Sequence, residues 1–286
     1  MTRKIIPPVL LLLLLAMAPA AFADGLRFEL GFGWTFVSSL MDSSYVNTFQ
    51  PPFVPADRYI ASAASQTVVF KGGTTVGMNG FFNLFFGDNF GLQVLADFHN
   101  VRMGGSNTPY SGYVQYRDID DVVKTYNASR PWQDSSGNLT ETVFSLNALA
   151  RIGIAENLDL SVSGGPSLFN FEGKTGYLGY TYFVFIPGQI DSTLTGETYF
   201  MVVNFGPETN YGWNLGVEAT FEIFRSILLG LDLRWYGAPA ANLQMSIVED
   251  DVYKVPIDVI ESTIGLGSLS VNPSYFRLGM AIRFVF

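Results

Sequence analysis

The sequence predicts an all-β fold: a transmembrane, up-and-down antiparallel β-barrel of eight strands, with ten as the alternative, after a cleaved signal peptide. Three observations point there. Apolar and polar residues alternate over eight separate runs, the period-2 signature of a strand with two unlike faces. Short turns and long connections alternate between those runs. Aromatic side chains collect at two levels of the apolar face.

Composition agrees. Of 286 residues 48% are apolar, 15% aromatic and 14% charged, with a net charge of −9. A disordered chain needs high charge and few aromatics. Nucleic acid is excluded as the main partner, because phosphate binding needs clustered Lys and Arg. The absence of Cys removes disulfides, thiolate metal sites, Fe–S clusters and thiol catalysis. A single His, His99, rules out a multi-His metal site. No cofactor is implied.

In chain order, Arg3 and Lys4 precede an apolar stretch, Val9–Ala16, and Ala21-Phe22-Ala23 is a small-x-small cleavage site before Asp24. These are the three parts of a secretory signal, 1–23. The stretch is short of the roughly 20 residues that span a bilayer as a helix.

The first strand sets Phe28, Leu30, Phe32, Trp34 and Phe36 against Arg27, Glu29, Gly31, Gly33 and Thr35. A second sets Val76, Met78, Phe82, Leu84 and Phe86 against Asn79 and Asn83. After Gly87-Asp88-Asn89 a third sets Phe90, Leu92, Val94, Ala96 and Phe98 against Gln93, Asp97 and His99. A fourth runs from Phe144 to Ile154, with Ser145, Asn147 and Arg151 opposite. After Ala155-Glu156-Asn157 the fifth has Leu158, Leu160 and Val162 against Asp159, Ser161 and Ser163. The sixth spans Tyr211–Ile223, with Asn214, Glu218, Thr220 and Glu222 opposite. After Phe224-Arg225-Ser226 the seventh sets Ile227 to Trp235 against Asp232 and Arg234. The eighth has Phe276, Leu278, Met280, Ile282, Phe284 and Phe286 on one face and Tyr275, Arg277, Gly279, Ala281 and Arg283 on the other.

The long connections fall at about 40–74, 104–141, 173–210 and 238–272. Short turns on one side and long loops on the other is the layout of outer-membrane barrels. An even strand count puts both termini on the short-turn side, so the long loops face outside the cell. Phe28, Phe86, Phe90, Phe221, Phe224, Phe284 and Phe286 lie near the tight turns. Trp34, Phe36, Phe98, Phe144, Tyr211, Trp213, Trp235 and Phe276 lie near the long loops. Two such girdles suit a lipid-facing surface.

The opposite face carries near-balanced charge: Arg27, Arg151, Arg234, Arg277 and Arg283 against Glu29, Asp97, Asp159, Glu218, Glu222 and Asp232. Eight strands enclose a space just wide enough for side chains. The expectation is a polar charge network that plugs the lumen, with an ion path as the rival reading.

The cleaved signal, the eight amphipathic strands and the closing run Phe276–Phe286 together resemble OmpA/OmpX/OmpW-type small outer-membrane barrels. The resemblance implies that alternate residues Met280, Ile282, Phe284 and Phe286 form the signal read by the barrel-assembly machinery. It also implies outer-membrane lipids and periplasmic chaperones as partners. Asn272-Pro273 before the last strand and Arg283-Phe284 near its end are similar to OmpW-type proteins, which are associated with passage of small hydrophobic molecules. The long loops and the extra Val285-Phe286 depart from that pattern.

Binding usually resides in loops on a rigid scaffold. Arg117-Asp118-Ile119-Asp120-Asp121 with Trp132, and Glu249-Asp250-Asp251, are acidic loop segments. Without EF-hand spacing they read as solvated chain rather than calcium sites. Tyr177–Ile186 and Thr198–Phe205 are aromatic and almost uncharged, and read as a hairpin continuing strands five and six beyond the bilayer, or else as the ninth and tenth spans.

Lipid-modifying barrel enzymes need a nucleophile and a base. His99 has no Ser two residues on and faces the lumen, so the chain does not read as an enzyme. On that reading His99 bonds Asp97 or a loop, and His99→Ala leaves stability nearly unchanged. Two functions remain: a surface-binding (adhesin-like) or envelope-structural protein with an extracellular ligand at its loops, or a narrow, porin-like conduit for small hydrophobic solutes. The second expects an inner apolar pocket near the outer rim, with Phe81, Phe85, Leu95, Leu149 and Leu228 available to line part of it or, equally, to serve as ordinary lumen filling.

Overall fold

The computed structural model describes residues 26–37, 42–49, 59–72, 74–105, 110–117, 120–130, 135–184, 195–250 and 268–286. The signal at 1–23, and Asp118, Ile119, Trp132, Ile186 and Asp251, lie outside the described residues.

The strands are β1 Leu26–Val37, β2 Asp42–Phe49, β3 Tyr59–Gly72, β4 Thr75–Phe86, β5 Phe90–Gly105, β6 Tyr110–Arg117 and β7 Val123–Arg130. They continue with β8 Ser135–Ala155, β9 Leu158–Val184, β10 Thr195–Phe224, β11 Ile227–Gly237, β12 Ala241–Asp250, β13 Ser268–Val271 and β14 Tyr275–Val285. Eight of them close a ring: β1 pairs β4, β4 pairs β5, then β8, β9, β10, β11 and β14 follow, and β14 returns to β1. All these pairs are antiparallel. The ring strands are the eight read from the alternation, and the ring does not take the ten-strand form.

Closure follows from register. β1 matches β4 without a slip from Leu26↔Phe86 to Val37↔Thr75, and β14 from Glu29↔Val285 to Val37↔Arg277. At the tight-turn end the Phe286 N–H donates to the Phe28 carbonyl at 2.9 Å and the Phe28 N–H to the Phe286 carbonyl at 3.4 Å. A closed ring leaves no unpaired edge. The turn at Gly87 (φ 75°) takes a left-handed conformation that glycine adopts without penalty.

The period of 2 sorts the side chains by face. On β1 Phe32, Trp34 and Phe36 are exposed on the outside, while Glu29, Thr35 and Val37 are buried inside. On β14 Phe276, Leu278, Met280, Ile282 and Phe284 are exposed, as is Phe286 just after it, while Tyr275, Arg277 and Arg283 are buried. A water-soluble barrel would reverse this arrangement. An apolar exterior around a polar interior is stable where hydrocarbon is the outer solvent.

The long connections are themselves largely sheet. β2 and β3 form a hairpin, β3 joins β6, and β6 joins β7. β9 and β10 run on past the ring as one ladder up to Val184↔Thr195, so the hairpin reading of the aromatic segments holds over the described residues. β12 lies on the upper part of β10, Met201–Phe205, and pairs β13. The sequences explain it: Val68, Val69 and Phe70, or Tyr110, Tyr113, Val114 and Tyr116, are β-branched and aromatic. These strands form a β-rich crown above the ring.

Candidate functional site: the barrel lumen

The lumen is built from inward positions of the ring strands, in three layers. Nearest the tight turns is Glu29 on β1, fully buried. Arg151 on β8 donates to both of its oxygens, at 2.6 and 2.8 Å. Arg283 on β14 donates at 3.1 Å, the Asn83 amide at 3.0 Å, and Arg27 lies 3.0 Å away at the mouth. The Arg151 guanidinium also lies 4.0 Å over the Phe85 ring, and Arg283 lies 4.7 Å over Phe81. Arginine tolerates such places because its planar, weakly hydrated head can bond at its edge and stack on its face. Arg283 continues to Glu218 on β10.

The second layer is a belt of amides. Glu29 faces Asn83 across β1–β4, Asn83 faces Gln93 across β4–β5, and Gln93 faces Asn147 across β5–β8. Each bonds the next: Gln93 Nε2 donates to Asn83 Oδ1 at 3.1 Å, Asn147 Nδ2 to Gln93 Oε1 at 2.9 Å, and Asn214 Nδ2 to Asn147 Oδ1 at 2.7 Å. Arg234 on β11 closes the run on Asn214 and reaches Ser163 at 2.8 Å and Asp232 at 3.3 Å. An amide carries both donor and acceptor, so a directional chain can satisfy every member.

Above it, Asp97 receives Arg277 and the Tyr236 hydroxyl. Arg277 also bonds Asp232. His99 Nε2 bonds the Thr35 hydroxyl at 3.1 Å and Nδ1 lies 3.4 Å from Glu141, with Tyr275 edge-on at 6.0 Å. Phe169 packs against Phe171 and Tyr236 beyond this level.

Between the layers the space is filled. Phe81, Leu95 and Ala281 form an apolar cluster, and the Phe81 ring occupies the place a side chain on Gly31 would take. The cavity beside this cluster, reaching Arg234 and Arg277, measures about 10 Å³. That is room for about one water molecule.

No family model matches the chain, and no curated protein matches it in sequence. Solved structures do. The chain is similar to the outer membrane protein OprG from Pseudomonas aeruginosa (10% identity, TM-score 0.44), over 92% of this chain and 96% of that one. It is similar to the outer membrane protease OmpT from Escherichia coli (9%, TM-score 0.38), over 93% and 98%. It is also similar to Ail, the attachment invasion locus protein of Yersinia pestis (11%, TM-score 0.34), over 91% and 99%. These are small outer-membrane barrels.

Of the predicted charge network, Arg27, Glu29, Asp97, Arg151, Glu218, Asp232, Arg234, Arg277 and Arg283 meet in the contacts above. Asp159 lies 3.9 Å from Arg151 at the rim. Glu222 sits exposed at the end of β10, where the register slips before Phe224. Met280, Ile282, Phe284 and Phe286 all face outward.

Three further readings meet the structure. His99 bonds Thr35 and lies 3.4 Å from Glu141 rather than on Asp97, so removing it takes the neighbouring imidazole from a buried carboxylate. Phe81, Phe85, Leu95, Leu149 and Leu228 are buried, but Phe85 and Leu149 both pair with Gly91 beside the tight turn, far from the outer rim. They support arginines and fill space. In the acidic loop Arg117 pairs with Asp121 at 3.3 Å, and among the described residues no metal-ligating group of three gathers.

The reading of the sequence missed Glu141, Tyr236 and the amide belt as site residues. Glu141 shares the parity of Val143, Ser145, Asn147 and Arg151, so carrying the alternation one strand step past Val143 would have found it.

Proposed function

We propose that this chain is an outer-membrane barrel with a closed lumen, whose β-rich crown stands outside the cell and serves surface binding or envelope structure. The observation that carries this is the filled lumen, where buried ion pairs and amides bridge strands on all sides of the ring and leave a cavity of about 10 Å³ at mid-height. A space of that volume holds about one water molecule and no hydrophobic solute. The exposed apolar exterior supports the membrane setting. His99, shut in at 1% exposure, supports a role without catalysis. On this reading outer-membrane lipids surround the ring, the assembly machinery and periplasmic chaperones handle it through the Met280–Phe286 signal, and an extracellular ligand meets the crown.

Planar-bilayer conductance of the refolded mature chain, Asp24–Phe286, tests it. The expected result is an inserted barrel without discrete channels. Discrete channels blocked by a small hydrophobic solute would overturn it in favour of the conduit.

A further inference from the structure

The outer face of β8, β9 and β10 changes character sharply with height. One outward rung is Phe144–Leu168–Tyr211. The next is Thr142–Asn170–Thr209, where the Thr209 hydroxyl donates to Asn170 at 2.8 Å. Then Thr140 pairs Glu172, and above it Lys174 stands between Asn138 on β8 and Asn204 on β10. Opposite Glu172 the β10 register slips between Phe205 and Glu208, with Gly206 at φ 72°. This bulge bends the strand, and a Cβ at Gly206 would collide with the Phe171 carbonyl. The result is an outward-facing cavity of about 310 Å³ lined by Asn138, Thr140, Glu172, Lys174 and Asn204.

We propose that this cavity is a binding site for the head of a phosphorylated glycolipid in the outer leaflet. The inference rests on the membrane reading above. Strands rise roughly 3.4 Å per residue, so the Thr140–Glu172 rung lies about 14 Å along the strands beyond the Phe144 rung. With a tilt of roughly 35–45° that is about 10 Å of height, at the level of lipid heads. A lipid whose chains lie on Leu168 and Phe144 therefore places its head here.

The order of charges selects the head. Glu172 is nearer the apolar belt and Lys174 farther out. A zwitterionic phospholipid has its phosphate nearer the chains and its ammonium outside, which sets phosphate against Glu172 and ammonium against Lys174. A sugar with acyl chains on one side and phosphate at its rim has the opposite order. Its hydroxyls and amides meet Glu172 and Thr140, and its phosphate meets Lys174 flanked by the Asn138 and Asn204 amides. Ammonium–phosphate contacts of this kind are charge-assisted and short.

The test is native mass spectrometry of the refolded mature barrel in detergent, titrated with diphosphoryl lipid A, its dephosphorylated form, phosphatidylethanolamine, or soluble glucosamine phosphate. Vesicle flotation and protease protection report insertion separately. The expected result is one retained lipid A at roughly tenfold higher affinity than phosphatidylethanolamine, falling about tenfold in Lys174→Glu and for the dephosphorylated lipid. Lys124→Glu, on another strand pair, leaves it unchanged. Binding of glucosamine phosphate as tight as that of lipid A would replace the lipid site by a free sugar-phosphate site and overturn the proposal. So would an inserted barrel that does not discriminate, or a Lys174→Glu variant that binds normally. A chain that fails to insert overturns the membrane reading itself.

Discussion

Arg151 holds both oxygens of Glu29 at 2.6 and 2.8 Å across 122 residues of sequence, in a place neither shares with water. Glu29 also takes Arg283 and Asn83, so one carboxylate is shared by two buried arginines. Glu29→Ala takes from Arg151 and Arg283 the carboxylate they share, leaving Arg283 on Glu218 and Arg151 with Asp159 at 3.9 Å. The expected cost is roughly 3–5 kcal/mol, read as a lower midpoint in urea unfolding of the vesicle-inserted barrel. Glu29→Ala with Arg151→Ala should be less destabilised than the sum of the single variants by about 0.5–3 kcal/mol. Additive effects would mean that the pair does not hold the barrel.

His99 and Glu141 make a second dependent pair. Both are buried, and Glu141 has His99 at 3.4 Å. His99→Ala should destabilise by about 1–3 kcal/mol, the cost of a buried polar group left without its partner. Adding Glu141→Gln should recover part of this loss. Equal stability of His99→Ala and the parent would show that water replaces the imidazole.

The ring was legible because each face of its strands has a constant chemistry over five or six alternations, as on β14, and a one-residue slip would move every side chain to the wrong solvent. The lumen charges followed from the same parity. The crown was less legible: in Tyr177–Phe183 and Thr198–Phe205 both faces carry aromatic or uncharged residues, so alternation says strand without saying which side is in. Partners within the lumen were not legible at all. Asp97 and His99 are two residues apart on one face, which made them a natural pair, but Arg277 and Thr35 reach them from strands far away in sequence.

The crown should be separable from the ring. β6 and β7 pair each other and reach the rest through β3, and among the described residues neither pairs a ring strand. Deleting Gly112–Asn127 and joining the ends with a short Gly/Ser turn should leave heat-modifiable migration and the unfolding midpoint of the ring within about 0.5 kcal/mol of the parent. Binding of cells or matrix should fall if this hairpin carries it. Unchanged binding would move the search to β12 and β13, and loss of the folded band would show that the ring depends on its crown.

The constriction at Phe81 and Leu95 is the place where the plug can be opened without stranding a charge. Phe81 is 6% and Leu95 1% exposed, and with Ala281 they separate the Glu29 layer from the Asp97 layer. Phe81→Ala with Leu95→Ala removes the apolar wall beside a cavity already edged by Arg234, Arg277 and Asp232. A polar void larger than roughly 10–15 Å³ takes up water, so the two layers become joined by a water file. The expected outcome is a small, flickering conductance in planar bilayers where the parent is silent. Leu278→Ala, on the outer face, should remain silent. A parent that conducts as well as the double variant would contradict the closed lumen. A folded double variant that stays silent would place the seal higher, at Tyr236, Tyr275 and Phe169.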